Sequence, residues 1–328
     1  MPRSDLGNRC RAGYLPAMLL RPLCLFLAAF ALTVSAAETT PARRRVLVFT
    51  KSSGFQHDAV KLTMKDGREG YGFPVLRALG EKNNIEFVYS KDGSLFTPEY
   101  LAQFDAFLFY TTGDLTKRKS DPRGDDLPPM TPAGKAALLA AVAGGKGFIG
   151  VHSATDTFHT AGRNDHVPER FLDDGAAADD YVKMIGGEFI RHGKQQVSLL
   201  TVADKKFPGM SAVPEGYGLY EEWYSLKDFA PDLHVLLVQE TKGMKGDEYQ
   251  RPPYPSTWAR LHGKGRVFYT NMGHREDVWV SPVFQSVLEG ALNWALRRVD
   301  ADVTPNLATV APGANQLPVY VPPAPAAK

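Results

Sequence analysis

The chain has 328 residues, 44% hydrophobic and 23% charged, which is enough apolar material to bury one large core and excludes a disordered protein. Its formal net charge is only +2, and apart from short clusters such as Ala42 to Arg45 and Lys117 to Lys119 the basic residues are scattered, which argues against a nucleic-acid partner.

The N-terminus differs in kind. Arg3, Arg9 and Arg11 precede the apolar run LPAMLLRPLCLFLAAFALTVSAA, which ends in small residues before polar ETTPARRR. This predicts a signal peptide over residues 1–37, cleaved after Ala36 or Ala37. Arg21 breaks the run, and Pro22 to Ala37 falls short of the ~20 residues a spanning helix needs. The expectation is a periplasmic or secreted protein with no membrane attachment after cleavage. Cys10 and Cys24 both lie in this segment, so the mature chain would hold no disulfide, thiolate metal site or cysteine nucleophile.

Val46 to Thr50 reads as a short buried strand, followed by the polar loop KSSGFQHDAV. A helix is predicted on the Phe73, Leu76, Leu79 spacing, then a strand, IEFVYS. FDAFLFY (Phe104 to Tyr110) is a nearly continuous apolar strand. Thr131 as N-cap and Pro132 at the first helical position open a helix to Val142, and GFIGV follows as a strand. This alternation predicts right-handed crossovers and a mostly parallel sheet with helices on both faces.

Farther on, QQVSLLTVAD, EEWYSL, HVLLVQE, STWARLH and RVFYTNMG read as strands. A helix over Val283 to Arg298 carries Phe284, Val287, Leu288, Ala291, Leu292 and Ala295 on one stripe that packs on the sheet. Thr116 to Met130 and Thr160 to Asp180 read as polar surface insertions, of a length common in lids and binding loops. The α/β domain is placed at residues 45–299, and the Pro- and Ala-rich residues 300–328 predict a disordered tail.

In open α/β sheets, ligands sit beyond the carboxyl ends of the strands. Three histidines arrive there from distant parts of the chain: His57 after the first strand, His152 at the end of GFIGV, and His274 after RVFYTNMG. Asp156 and His159 follow His152, Glu221 and Glu222 open a later strand, and His192 lies in GGEFIRHGK. Imidazole beside a carboxylate serves general acid and base chemistry, and the same groups can hold a metal. Zinc would need three or four converging ligands, with one position open for catalysis. His57, His152, His274 and Glu222 are the candidates for such an ion; no other cofactor is indicated, since neither a dinucleotide nor a Walker glycine pattern is present.

Some histidines have plainer readings. His166, His234 and His262 are expected to be solvated, while His159 is evenly balanced between solvation and a site. Trp258, Trp294, Phe268 and Tyr269 are expected in the core. Trp223 and Tyr224 suit either the core or stacking on a sugar face.

The motifs RVLVFTKSSGFQHDAV, GKGFIGVHSATDTFH, YVKMIGGEFIRHGKQQVSLLTVAD, EEWYSL and STWARLHGKGRVFYTNMGHREDVW resemble, in order, those of the ThuA-like trehalose-utilisation family. The resemblance covers Arg45 to Arg298 and implies a class I glutamine amidotransferase-like α/β fold, flavodoxin-like in its winding. In amidotransferases the strand-to-helix elbow presents a cysteine; here Gly150-Val151-His152-Ser153-Ala154 puts His152 in that place, which excludes amidotransferase chemistry. Ser153 is one residue off the elbow register and lacks the second glycine of a serine-hydrolase motif. Against the family pattern, Gln56-His57-Asp58, His152 to Asp156, and Gly273-His274 are the matching positions. Gln56 and Ser153 stand where the family has glycine, so the His57 loop is expected to have less backbone freedom.

The resemblance implies an enzyme of carbohydrate catabolism acting on a glucoside or its 3-keto derivative as a lyase or hydrolase, and the N-terminal segment predicts that it is exported. His57, His152, Asp156, Glu222 and His274 would be catalytic, with Ser153, His192, Trp223 and Tyr224 contacting a small-molecule carbohydrate. Metal-assisted hydrolysis, with an ion such as Zn²⁺, and a noncatalytic sugar-binding module are the two alternatives.

Overall fold

The computed structural model describes residues 42–160 and 168–322. The predicted signal peptide and His166 lie outside these residues. In chain order the regular elements are β1 (Arg44–Phe49), α1 (Gly72–Lys82), β2 (Ile85–Ser90), α2 (Pro98–Ala102), β3 (Ala106–Phe109), α3 (Pro132–Ala143), β4 (Gly147–Val151), α4 (Asp180–Ile185), β5 (Glu188–His192), β6 (Gln196–Val202), β7 (Tyr217–Glu221), β8 (Tyr224–Lys227), β9 (His234–Gln239), β10 (Tyr254–His262), β11 (Gly265–Thr270), α5 (Glu276–Trp279), α6 (Pro282–Ala295) and α7 (Leu307–Val310).

Nine strands form one sheet in the order β2-β1-β3-β4-β11-β10-β9-β6-β7, and β5 pairs with β8 in a second, two-stranded sheet. From β2 to β11 every pairing is parallel, with Val48 opposite Leu108 and Tyr269 opposite Gly150. This is the 2-1-3-4-5 winding of flavodoxin-like folds. Beyond β11 the hairpin partners β10, β9, β6 and β7 continue the sheet antiparallel.

The short apolar runs form buried central strands because both their faces are covered. Val46 and Val48 of β1 enter one core cluster with α1 and α6, while Leu47 and Phe49 enter the other with Leu138, Val142 and Tyr181. The stripe on α6 faces the first cluster throughout, from Phe284 to Ala295. Thr131 caps α3, its side chain accepting from the Gly134 amide, with Pro132 in the first turn.

The two insertions depart from a surface description. Asp125, inside Thr116 to Met130, accepts from the Ser52 amide at 2.8 Å and faces the buried amines of Lys51 and Lys91 at 3.4 and 3.3 Å. Gln56 also donates its amide to the Arg123 carbonyl at 3.2 Å, so the insertion is fastened along the loop that carries His57. Gln56 has no positive φ, so a glycine's freedom is not required there. In the second insertion Arg170 and Phe171 are buried.

The expected disordered tail is corrected up to residue 322. Leu307, Ala311 and Ala314 are buried. The Asn306 side chain accepts from the Val235 amide at 2.6 Å and donates to the Val235 carbonyl at 3.1 Å, tying the segment to β9. His234, expected to be solvated, is buried between the Thr304 carbonyl at 2.7 Å and Asp204 at 3.0 Å.

Candidate functional site

The parallel strands end where the sequence places its histidines. β1 runs into the loop that delivers His57, β4 ends at His152, and β11 leads through Asn271 and Met272 to Gly273 and His274. Glu222 arrives from the corner between β7 and β8. One ligand atom from each of His57, His152, Glu222 and His274 can be chosen so that all lie within 4.8 Å of one another. The three ring centroids are 5.1 to 5.3 Å apart.

Two backbone features produce this convergence. His152 has φ +45, so a non-glycine residue holds the left-handed conformation that turns its ring off the end of β4. The elbow buries that imidazole within the cluster. Gly273 has φ +116, and a Cβ there would lie 2.9 Å from Val151 Cγ1, so only glycine lets the last strand turn His274 back toward β4.

The nitrogens facing the centre lack hydrogen-bond partners. His152 Nδ1 lies 3.0 Å from the Asn271 carbonyl, to which it donates, leaving Nε2 with a free lone pair. His57 Nε2 lies 3.4 Å from the Tyr224 hydroxyl, while its Nδ1 is buried and unpaired. His152 Nε2 and His274 Nδ1 face Glu222 Oε2 at 3.6 and 3.0 Å, neither with the alignment of a hydrogen bond. Buried polar atoms are almost always satisfied, so three such nitrogens around one point mark a place for a Lewis-acidic ligand.

The electrostatics fit that reading. Burial, followed by the neighbouring imidazoles of His152 and His274, holds His57 well below its ordinary pKa, so its lone pair stays available. Burial alone would raise Glu222, but its contacts with His152 and His274 outweigh this and keep it ionised far below the usual carboxylate range. Burial would lower His274, but Glu222 raises it. An ion in the centre would take over the role that protonated imidazole plays opposite Glu222.

Behind the cluster sits Glu221, a residue with no role in the sequence reading. Its Oε1 accepts from the Gly273 and His274 amides, both at 2.7 Å, and its Oε2 from the Glu222 amide at 3.0 Å. Burial raises its pKa. Asn271 was also missed; its side chain fixes β8 by accepting from the Tyr224 amide at 3.3 Å and donating to the Tyr224 carbonyl at 3.1 Å. Among these groups only the adjacent Glu221-Glu222 pair left a signal in the sequence, and nothing in it says which carboxylate turns inward.

The remaining predicted residues divide. His192, with its side chain 41% exposed, sits on the rim with Nδ1 3.5 Å from Glu222 Oε1. Tyr224 is buried against His152 with ring centroids 4.2 Å apart, so it supports the cluster and offers no stacking face. Trp223 is corrected to core: it is buried, and its indole N–H donates to the Gln196 carbonyl. Ser153 is likewise buried, without a surface for a ligand.

Asp156, expected to be catalytic, makes its side-chain contact away from His57 and His152. Its Oδ1 lies 2.5 Å from His159 Nε2, and His159 Nδ1 lies 3.0 Å from Glu188 Oε1, a buried pairing that lowers Glu188 to about 2 although burial alone would raise it. Asp156 still belongs to the same surroundings, because after burial the charges of Glu222 and Asp156 are what raise the pKa of the Tyr224 hydroxyl.

Comparison with known proteins bears on these motifs. Over residues 45–295 the sequence matches the family described as ThuA, trehalose utilisation. The fold is similar to a ThuA-like protein from Bacteroides uniformis ATCC 8492, with 18% identity and a TM-score of 0.55 over 79% of this chain and 94% of that one. It is also similar to a ThuA-like protein from Parabacteroides merdae ATCC 43184, with 17% identity and a TM-score of 0.51 over 85% and 97%. At these identities the likeness is one of fold. No curated protein matches the sequence.

Proposed function

Because this chain belongs to the ThuA trehalose-utilisation family, we propose that it is an exported, metal-dependent enzyme acting on a glucoside or its 3-keto derivative. The observation that carries the metal reading is the set of unpaired, buried nitrogens of His57, His152 and His274 in one cluster with Glu222. Three imidazoles and one carboxylate suit Zn²⁺ or a similar borderline divalent ion. Solvent reaches the set through Glu222 and His274, whose side chains are 12% and 20% exposed, and a substrate would approach from that side.

When bound, such an ion polarises a carbonyl or lowers the pKa of a bound water. A 3-keto glucoside has an acidic proton at C2. Transfer of that proton to a carboxylate, breakage of the C1–O bond and protonation of the departing oxygen would give an unsaturated 3-keto sugar and a free alcohol. A sugar-binding module without catalysis has weaker support, because Trp223 and Tyr224 present no aromatic face.

The test is elemental analysis of protein purified without chelator, paired with turnover of 3-keto-trehalose before and after chelation. The reading expects about one equivalent of metal, lost in His152→Ala, and turnover that chelator abolishes and Zn²⁺ or another divalent ion restores. Full turnover by metal-free protein would overturn the metal. N-terminal sequencing of protein recovered from its native cell tests export; a chain beginning at Met1 would refute it.

A further inference from the structure

Of the groups that would hold the ion, His274 reaches solvent between two segments, the turn after β5 and the loop after β11. A cavity of about 610 Å³ lies there, lined by Tyr71, Gln195, His274, Arg275, Glu276 and Asp277 with Val280 at its edge. His274 is shared between this cavity and the cluster. We infer that the cavity is the sugar subsite and that Arg275 and Gln195 read the sugar's hydroxyls; the inference rests on the carbohydrate reading above.

The volume is in the range of small-molecule sites, but the cleft is open and its walls are about as polar as apolar, where most such sites are mainly apolar. Arg275 is also rigidly held. Its Nε and Nη2 donate to the two carboxylate oxygens of Asp277 at 2.9 and 2.8 Å, its Nη1 donates to Gln195 Oε1 at 2.8 Å, and its guanidinium lies 4.8 Å over the Tyr220 ring. Three of its five N–H groups are thus committed, and the other two keep fixed directions. Gln195 gives its carbonyl oxygen to Arg275, so its amide hydrogens remain as donors.

Adjacent hydroxyls on a sugar each donate and accept, and a ligand of this kind needs donors and acceptors side by side. Arg275 and Gln195 supply the donors; Asp277 and Glu276 supply the acceptors. The charges are balanced locally, Arg275 by Asp277 and Glu276 by Arg68. A neutral sugar fits this balance, whereas a phosphorylated one would call for a surplus of cations. Because the groups are already ordered, little side-chain entropy is lost when the sugar binds.

Calorimetric titration of the metal-loaded full chain with trehalose, and separately with trehalose phosphate, tests the assignment. Arg275→Ala and Gln195→Ala should each weaken trehalose binding about tenfold or more while the metal content stays at one equivalent, and in turnover the loss should fall on KM. Arg275→Lys, which keeps the charge but not the fork, serves as a milder variant and should also lose affinity. Unchanged trehalose binding in these variants would overturn the subsite alone. Tighter binding of trehalose phosphate would overturn the assignment to a neutral sugar. A metal-loaded wild type that binds neither trehalose nor 3-keto-trehalose would overturn the carbohydrate reading and the subsite together.

Discussion

Glu221 accepts three backbone amides across two segments, and a carboxylate is the only side chain of its size that presents acceptors on both oxygens. Glu221→Gln would set an amide group against one of those N–H donors and loosen His274 and Glu222 together. We expect the fold to persist and metal affinity to fall about 10–100-fold, read by competition with a chromophoric chelator. Glu188 supports a separate prediction. Its folded pKa of about 2 lies below its ordinary value of 4.5, so its stabilisation is complete above pH 4.5 and is lost as the pH falls toward 2. The gap is worth about 3 kcal/mol. Urea unfolding of Glu188→Gln should be less stable than wild type at pH 7 and should lose less stability on acidification; equal slopes for the two proteins would contradict this. The histidines themselves could be read from sequence because each lies just beyond a strand-like apolar run, directly or after a short loop. Their common centre could not, because nothing in the order of residues says that His152 adopts a positive φ or that Glu222, and not Glu221, turns inward.

Elements with a continuous β-rich run or a clear helix cap were the legible ones. IEFVYS and GFIGV run over the very residues of β2 and β4, and the cap at Thr131 opens α3 as its side chain requires. β5 and β7 were not identified: β5 is five residues set between glycines, and β7 is an edge strand of half-exposed residues around Gly218, so neither shows a clear period. The tail misled for a compositional reason. Its prolines and alanines resemble a linker, yet single residues at Leu307, Ala311 and Ala314 fill the surface of the second core cluster, and Asn306 satisfies both polar groups of Val235. Asn306→Ala would leave the Val235 amide without its acceptor at a cost of about 1–3 kcal/mol. Thermal unfolding checks this: a melting temperature equal to wild type would mean that the tail rests on β9 without holding it.

At the scale of the whole molecule the site is a junction. The flavodoxin-like half supplies His57 and His152, the antiparallel extension supplies Glu222 through the β7–β8 corner, and β11, which belongs to both, supplies His274. These residues are spread over more than two hundred positions of sequence, so the unfolded chain offers no preformed site. An ion that binds only the folded state therefore stabilises the entire domain, by about 2.7 kcal/mol when its free concentration is a hundred times its Kd. Without the ion, the free lone pairs of His57 and His152 and the charge on Glu222 are costs that folding has to bear. Metal-loaded protein should melt several degrees above chelator-treated protein, and the increment should grow with the logarithm of free ion concentration. His152→Ala removes a ligand together with one of the strained, unsatisfied groups. It should abolish the metal-dependent increment while leaving the metal-free melting temperature near or above that of the metal-free wild type. A variant that kept the increment would show that the ion binds elsewhere, and one that melted far below the metal-free wild type would show that His152 serves the core more than the site.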